Sequence, residues 1–400
     1  MLEFVLVGMV LIVIQIVLAV PWAAALDPVG FKAWCRRLFS TVLGLQVAVG
    51  TILGMAAVLV FFHTTVTDQN QRMWWGRSYA SILQLQLCAD LFALVFFVLL
   101  RLWPAGGAVA LAAFREGLRQ PLFWMLTLGA LILMGITPFL PYFTFGEDYK
   151  MVKEIGYDVI MLAATAFGVI AASMSISEEI EGKTAITLMS KPISRRQFLL
   201  GKFGGILLAA LAMTLMLGWF FIWMLLFKEN WDARQSPDKV PPPAWLLELL
   251  SDTGLGKDTV PVLLGIGLWT EDLATTGPGL ALGFGQLMVL LAIAVALATR
   301  LPMIVNLVVC LMVFFLGHLT PILTMVSKDR YALIYFTSQV FDTVLPALAY
   351  YDMGPATVRD DPVPPIDFAW HILTVTGYSV LYSTIALLFG LILFEDRDLA

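Results

Sequence analysis

Residues 177–203 read SEEIEGKTAITLMSKPISRRQFLLGKF. Three acids open the run, Glu178, Glu179 and Glu181, and five bases follow, Lys183, Lys191, Arg195, Arg196 and Lys202. Long apolar segments flank it on both sides. A polar hairpin between two membrane-length segments reads as a knob standing out of a membrane. It is a natural docking surface for something in the cytoplasm.

The rest of the chain agrees with a membrane setting. Of its 400 residues 60% are hydrophobic and 13% charged, and the mean hydropathy is +0.87. Soluble domains carry about 25% charged residues. Apolar runs of about 20 residues recur along the chain, as a helix crossing hydrocarbon requires. The fold class is therefore all-α and polytopic, with about nine transmembrane helices and a cytoplasmic hairpin. The spans fall near 3–21, 40–62, 79–100, 122–141, 157–177, 204–227, 279–298, 303–325 and 371–394. The first run, Leu2–Val20, has no basic residues ahead of it and no convincing small-residue cleavage motif, so it reads as a retained span.

Lysines and arginines set the orientation. With the N-terminus outside, the inner segments hold Lys32, Arg36, Arg37, Arg101, Arg115, Arg119, the five bases of the quoted run, Arg300 and Arg397. The remaining bases are spread over much longer outer loops. The C-terminus is then cytoplasmic.

Residues 1–104 read as an added three-span module and 105–400 as the main membrane domain. Within the first, Ala33-Trp34-Cys35-Arg36-Arg37 reads as a short basic turn, and Asp90 falls inside the third span. An acid at that depth is a functional candidate; the plainer reading bonds it to Gln84 or Gln86 one turn away. Leu102–Gly107 is a break. Ala108–Leu122 then reads as an amphipathic helix in the membrane interface, with Val109, Ala112, Ala113 and Leu118 on one face and Arg115, Glu116, Arg119 and Gln120 towards water. Two long outer segments follow, about 228–278 and 327–370. The first contains a short amphipathic helix at Ala244–Ser251, and Gly265–Leu268 within it is too short to span. The apolar portion Tyr331–Tyr351 reads as a helix packed against the membrane or dipping into it.

Reactive constellations are not expected. The cysteines Cys35, Cys88 and Cys310 are scattered, and His63, His318 and His371 are isolated. Gly182-Lys183-Thr184 spells the end of a phosphate-binding loop, but the motif needs a glycine where Ser177 stands. The chain is expected to hold no metal or cofactor and to bind no nucleic acid.

The run instead carries structural signals. Pro192 stops whatever precedes it. Ser194 is an N-cap with Gln197 three residues on, the spacing of a capping box, and Ile193 and Phe198 occupy the positions of a hydrophobic staple. A helix therefore starts at Ser194 and becomes the sixth span. Before Pro192, Glu178–Met189 can form a short helix with its acids at the favourable N-terminal end.

Glu178-Glu179-Ile180-Glu181-Gly182-Lys183-Thr184, then Leu188-Met189-Ser190-Lys191-Pro192-Ile193-Ser194-Arg195, then Gly201-Lys202, resembles the permease subunits of type 2 ABC exporters. The group most similar includes the nitrous-oxide-reductase maturation and gliding-motility permeases. The resemblance covers about residues 108–400 and ends on Phe394, Arg397, Asp398 and Leu399. The first three spans depart from that six-span plan. The resemblance implies that the run docks in a groove of a separate ABC ATPase subunit. Glu178, Glu179, Glu181, Gly182, Lys183, Ser190, Lys191, Pro192, Ser194 and Arg195 would make or shape the contact. It implies a transporter subunit rather than an enzyme, with ATP bound and hydrolysed by the partner. It also implies a second permease chain, identical or related, contact with membrane lipid, and either export or force transmission to an extracytoplasmic protein. The alternative is an ATPase-independent membrane scaffold or enzyme subunit, which leaves the 178–202 pattern without a reason.

Overall fold

The computed structural model describes residues 1–140, 148–181, 193–235, 242–324, 332–352 and 365–395. Among these residues the regular structure is helical, with no strands. The helices are α1 (Leu2–Leu26), α2 (Pro28–Ser40), α3 (Val42–Thr65), α4 (Gln69–Leu102), α5 (Pro104–Arg119), α6 (Pro121–Ile136), α7 (Asp148–Glu181), α8 (Arg195–Gln235), α9 (Ala244–Asp252), α10 (Val260–Ala298), α11 (Met303–Thr324), α12 (Ala332–Val344) and α13 (Pro365–Glu395). Short 3-10 turns follow α6 at Thr137–Phe139 and α12 at Leu348–Tyr351. Nine of the described helices are long and apolar enough to cross a membrane: α1, α3, α4, α6 with its 3-10 end, α7, α8, α10, α11 and α13. The chain is a multi-pass membrane protein of all-α class. In hydrocarbon a helix satisfies its own backbone donors and acceptors, which is why the apolar runs become helices.

Helix starts follow local chemistry. Proline opens α2, α5 and α6 at the first position, where its missing N–H is no loss. Asp27 caps α2 by accepting from the Gly30 N–H at 2.9 Å, and Thr41 caps α3 by accepting from Gly44 at 3.0 Å. Ala33-Trp34-Cys35-Arg36-Arg37, expected as a basic turn, thus lies inside α2, because a capped start and an unbroken run to Ser40 favour helix over turn.

The segment around 228–278, expected as an outer loop, is largely helical among the described residues. Helix α8 runs on to Gln235, and α10 begins at Val260. Gly265–Leu268 therefore lies in the first turns of a spanning helix. Pro278 sits inside α10 without ending it, as prolines in membrane helices often do. At 39 residues and about 1.5 Å per residue, α10 is about 58 Å long, well beyond a hydrocarbon core of about 30 Å. Helices stand where the sequence suggested them at Ala244–Asp252 and within 331–351.

The described chain divides into two compact units. The first comprises Met1–Val98 and Ser236–Thr275. Here α4 and α10 approach closely: a Cβ on Gly76 would lie 3.1 Å from Gly265 Cα. Arg72, 3% exposed, ties the unit's loop ends together. Its Nε donates to Val66 O at 2.7 Å and its Nη2 to His63 O at 3.2 Å. Its Nη1 meets the Asp258 carboxylate at 2.5 Å, and the guanidinium lies over the Phe4 ring. That bond holds the Asp258 carboxyl below its usual range.

The second unit comprises Leu99–Gln235 and Thr276–Ala400 and carries the main core. Phe167, Leu199, Met213, Leu217, Phe221, Leu291 and Val295 are fully buried there. Asn306 of α11 donates to Ser173 Oγ of α7 at 2.9 Å and to Ala294 O of α10 at 3.0 Å, joining three helices in the core.

Candidate functional site

The candidate site is the end of the second unit where α7 finishes and α8 begins. Helix α8 starts as its sequence dictates. Gln197 N–H donates to Ser194 Oγ at 3.2 Å, and Ser194 N–H donates to Gln197 Oε1 at 2.9 Å, completing a capping box. Ile193 and Phe198 both pack into the core beside that cap.

Helix α5 lies against α8 through small residues. Its buried face is Gly106, Gly107, Ala110, Ala113 and Gly117. This differs from the expected face of Val109, Ala112, Ala113 and Leu118, because α5 packs by backbone approach rather than by bulky side chains. A Cβ on Gly205 would lie 2.6 Å from Ala113 Cβ, and one on Gly201 would lie 2.9 Å from Gly106 O. Gly201, Gly205 and Ala209 repeat every four residues along α8, the small-residue spacing that lets membrane helices touch.

That closeness brings the buried Lys202 into an ionic cluster with two partly exposed acids. The side chain is 6% exposed, and its Nζ lies 2.6 Å from Glu179 Oε1, 2.7 Å from Ser175 Oγ and 3.3 Å from Glu116 Oε2. One ammonium thus links α5, α7 and α8 at the root of the quoted run. The sequence places Glu116 only on the water-facing side of an amphipathic helix and Lys202 only among the bases of the run, and it gives Ser175 no role. The available signal was a lysine set after Phe198-Leu199-Leu200-Gly201, an apolar setting in which an ammonium needs a carboxylate.

The predicted docking residues separate. Glu179 is half-buried on Lys202. Arg195 donates from Nη1 to Phe394 O at 2.6 Å and Glu395 O at 2.8 Å, and lies over the Phe394 ring. Arg300 donates to Leu393 O at 2.8 Å. Two guanidinium groups therefore satisfy the last carbonyls of α13, where positive charge is favoured. Ser194 is exposed at its cap. Glu178 and Glu181 belong to the last turn of α7 by backbone. Gly182, Lys183, Ser190, Lys191 and Pro192 lie outside the described residues, as does the short helix expected before Pro192 beyond Glu181.

Asp90 stands apart in α4, in the first unit. Neither neighbouring glutamine holds it. Gln84 Oε1 accepts from Trp269 Nε1 at 3.0 Å, and Gln86 Nε2 donates to Gln15 O at 3.4 Å. Both Asp90 carboxylate oxygens are enclosed and have no hydrogen-bond partner among the described residues.

Residues 118–240 match the family model described as ABC-2 family transporter protein. The match supports an ABC-2 type permease. It runs from the end of α5 through α6, α7 and the quoted run to the end of α8. Ser175, Glu179 and Lys202 fall inside it, and Glu116 lies two residues ahead of it. No curated protein matches the chain. The matched family is one of transporters, and the matched segment is under a third of the chain.

Proposed function

We propose that this chain is the permease subunit of an ABC exporter, driven by ATP that a separate ATPase subunit binds and hydrolyses. The observation that carries the reading is the Lys202 cluster, set within and beside the matched segment. Helices α7 and α8 flank the run, and Lys202 binds both to α5. A displacement of the run reaches three helices through the ion cluster on buried Lys202, and the capped start of α8 transmits it without fraying.

In this reading Glu178, Glu181, Gly182, Lys183, Ser190, Lys191, Pro192 and Ser194 make or shape the docking contact. Glu179 and Arg195 act as positioning residues, because their side chains hold Lys202 and the end of α13. The run faces the cytoplasm, with the N-terminus outside and the C-terminus inside a bacterial cytoplasmic membrane. Residues 105–400 form the permease domain, similar to the nitrous-oxide-reductase maturation and gliding-motility permeases by the 178–202 pattern. Residues 1–104 are an addition to it. A second permease chain, identical or related, completes the transporter. The stroke exports a molecule or passes force to an extracytoplasmic protein.

The test is co-purification. Lys183→Glu with Lys191→Glu is expected to lose the ABC ATPase and its stimulation, while the permease still folds and inserts. Undiminished recovery and stimulation of the ATPase would sink the coupling role.

A further inference from the structure

An open cleft of about 620 Å³ lies at the elbow between α5 and α6, lined by Ala112, Arg115, Glu116, Arg119, Gln120 and Pro121. Its volume is in the range of small-ligand sites. The stripe Ala112, Arg115, Glu116 and Arg119 is exposed, on the face of α5 away from the small residues that meet α8. Glu116 is engaged by Lys202. Arg115 and Arg119 make no ion pair or hydrogen bond among the described residues, so the cleft keeps two uncompensated guanidinium groups. Gln120 makes no side-chain cap bond to α6, and its Oε1 has no partner among the described residues.

The surface next to the cleft is apolar. Trp124 is 56% exposed and its Nε1 donates to Leu118 O at 3.0 Å, the placement of an interfacial tryptophan. Met125, Leu128, Ile132 and Ile136 continue the exposed face along α6. Cationic groups at a membrane interface, with a long apolar strip running from them into the span, match an amphiphile with an anionic head.

We propose that the α5–α6 elbow binds an anionic phospholipid, with its phosphate on Arg115 and Arg119 and its acyl chains along the exposed face of α6. Free phosphate offers the same head chemistry but no use for the apolar strip, and a protein partner would leave that strip in the bilayer unexplained. The site depends on membrane insertion and not on the ATPase-coupling reading.

Native mass spectrometry of the full chain, delipidated and resupplied with phosphatidylglycerol or phosphatidylcholine, tests it. The wild type is expected to retain phosphatidylglycerol preferentially, and Arg115→Gln with Arg119→Gln to lower that preference about 10-fold. Arg115→Lys with Arg119→Lys keeps most of it. Ala112→Glu, which puts a carboxylate in the cleft and leaves both arginines in place, lowers it as the double glutamine variant does and covers the case in which that variant misfolds. Inorganic phosphate does not displace the lipid. Any one of three results overturns the proposal: no phosphatidylglycerol preference in the wild type, an undiminished preference in the arginine and Ala112 variants, or displacement by inorganic phosphate. Loss of ATPase co-purification with lipid preference intact would assign the arginines to a protein partner instead.

Discussion

Lys202 Nζ and Glu179 Oε1 are 2.6 Å apart, and this contact joins the first turns of α8 to the last turns of α7 near the two ends of the charged run. Ser175 and Glu116 complete the shell around the same ammonium. Lys202→Met removes the cation and leaves partly enclosed acids facing each other. A loss of about 1–3 kcal/mol is expected, together with loss of ATPase stimulation if the coupling reading holds. Adding Glu179→Gln should restore part of the stability but not the stimulation. Thermal unfolding in detergent and ATPase assays of the complex read the two effects separately.

The α5–α8 contact offers a built-in control. A Cβ on Gly204 would meet nothing within 4 Å, whereas one on Gly205 would overlap α5. Gly204→Ala should be neutral or stabilise by up to about 1 kcal/mol through helix propensity. Gly205→Ala should destabilise despite the same propensity gain. Equal thermal midpoints for the two variants would mean that α5 is not held by close backbone approach.

Ser194→Ala deletes one half of the capping box and should cost about 1 kcal/mol. Ser194→Asp should retain the cap. Hydrogen exchange at the first turn of α8 is the direct readout, with faster exchange expected in the alanine variant alone.

The Arg72–Asp258 pair predicts an acid-sensitive contribution. Because the folded-state carboxyl lies below its usual value, its stabilisation is fully present above the unfolded value of about 3.9. It fades as pH falls from there through the lower folded value. The difference in thermal midpoint between the wild type and Asp258→Asn should be constant near neutrality and close in acid. A gap that widens on acidification would reverse the assignment.

Asp90 presents both carboxylate oxygens to an enclosed site without a hydrogen bond among the described residues. Such a group is unfavourable in a span. Asp90→Leu should therefore raise the thermal midpoint of the isolated chain. A fall in the midpoint would show that the carboxylate has a stabilising partner in the folded protein.

The all-α class, the nine span-length helices among the described residues and the start of α8 are legible in the amino-acid order alone. These follow from local chemistry: apolar runs long enough for hydrocarbon, prolines at Pro28, Pro104 and Pro121, and the Ser194–Gln197 spacing. Length was less legible, since Gly277-Pro278-Gly279 resembles a break in water yet lies inside α10. Where the charges of the run go depends on helix packing. Glu179 and Arg195 look alike on paper as surface docking residues, but one closes on Lys202 and the other on the carbonyls of α13, 199 and 200 residues away. The reason is that charge pairing depends on which helices touch. Here that is set by Gly201 and Gly205, whose missing side chains bring α5 close enough for Glu116 to reach Lys202.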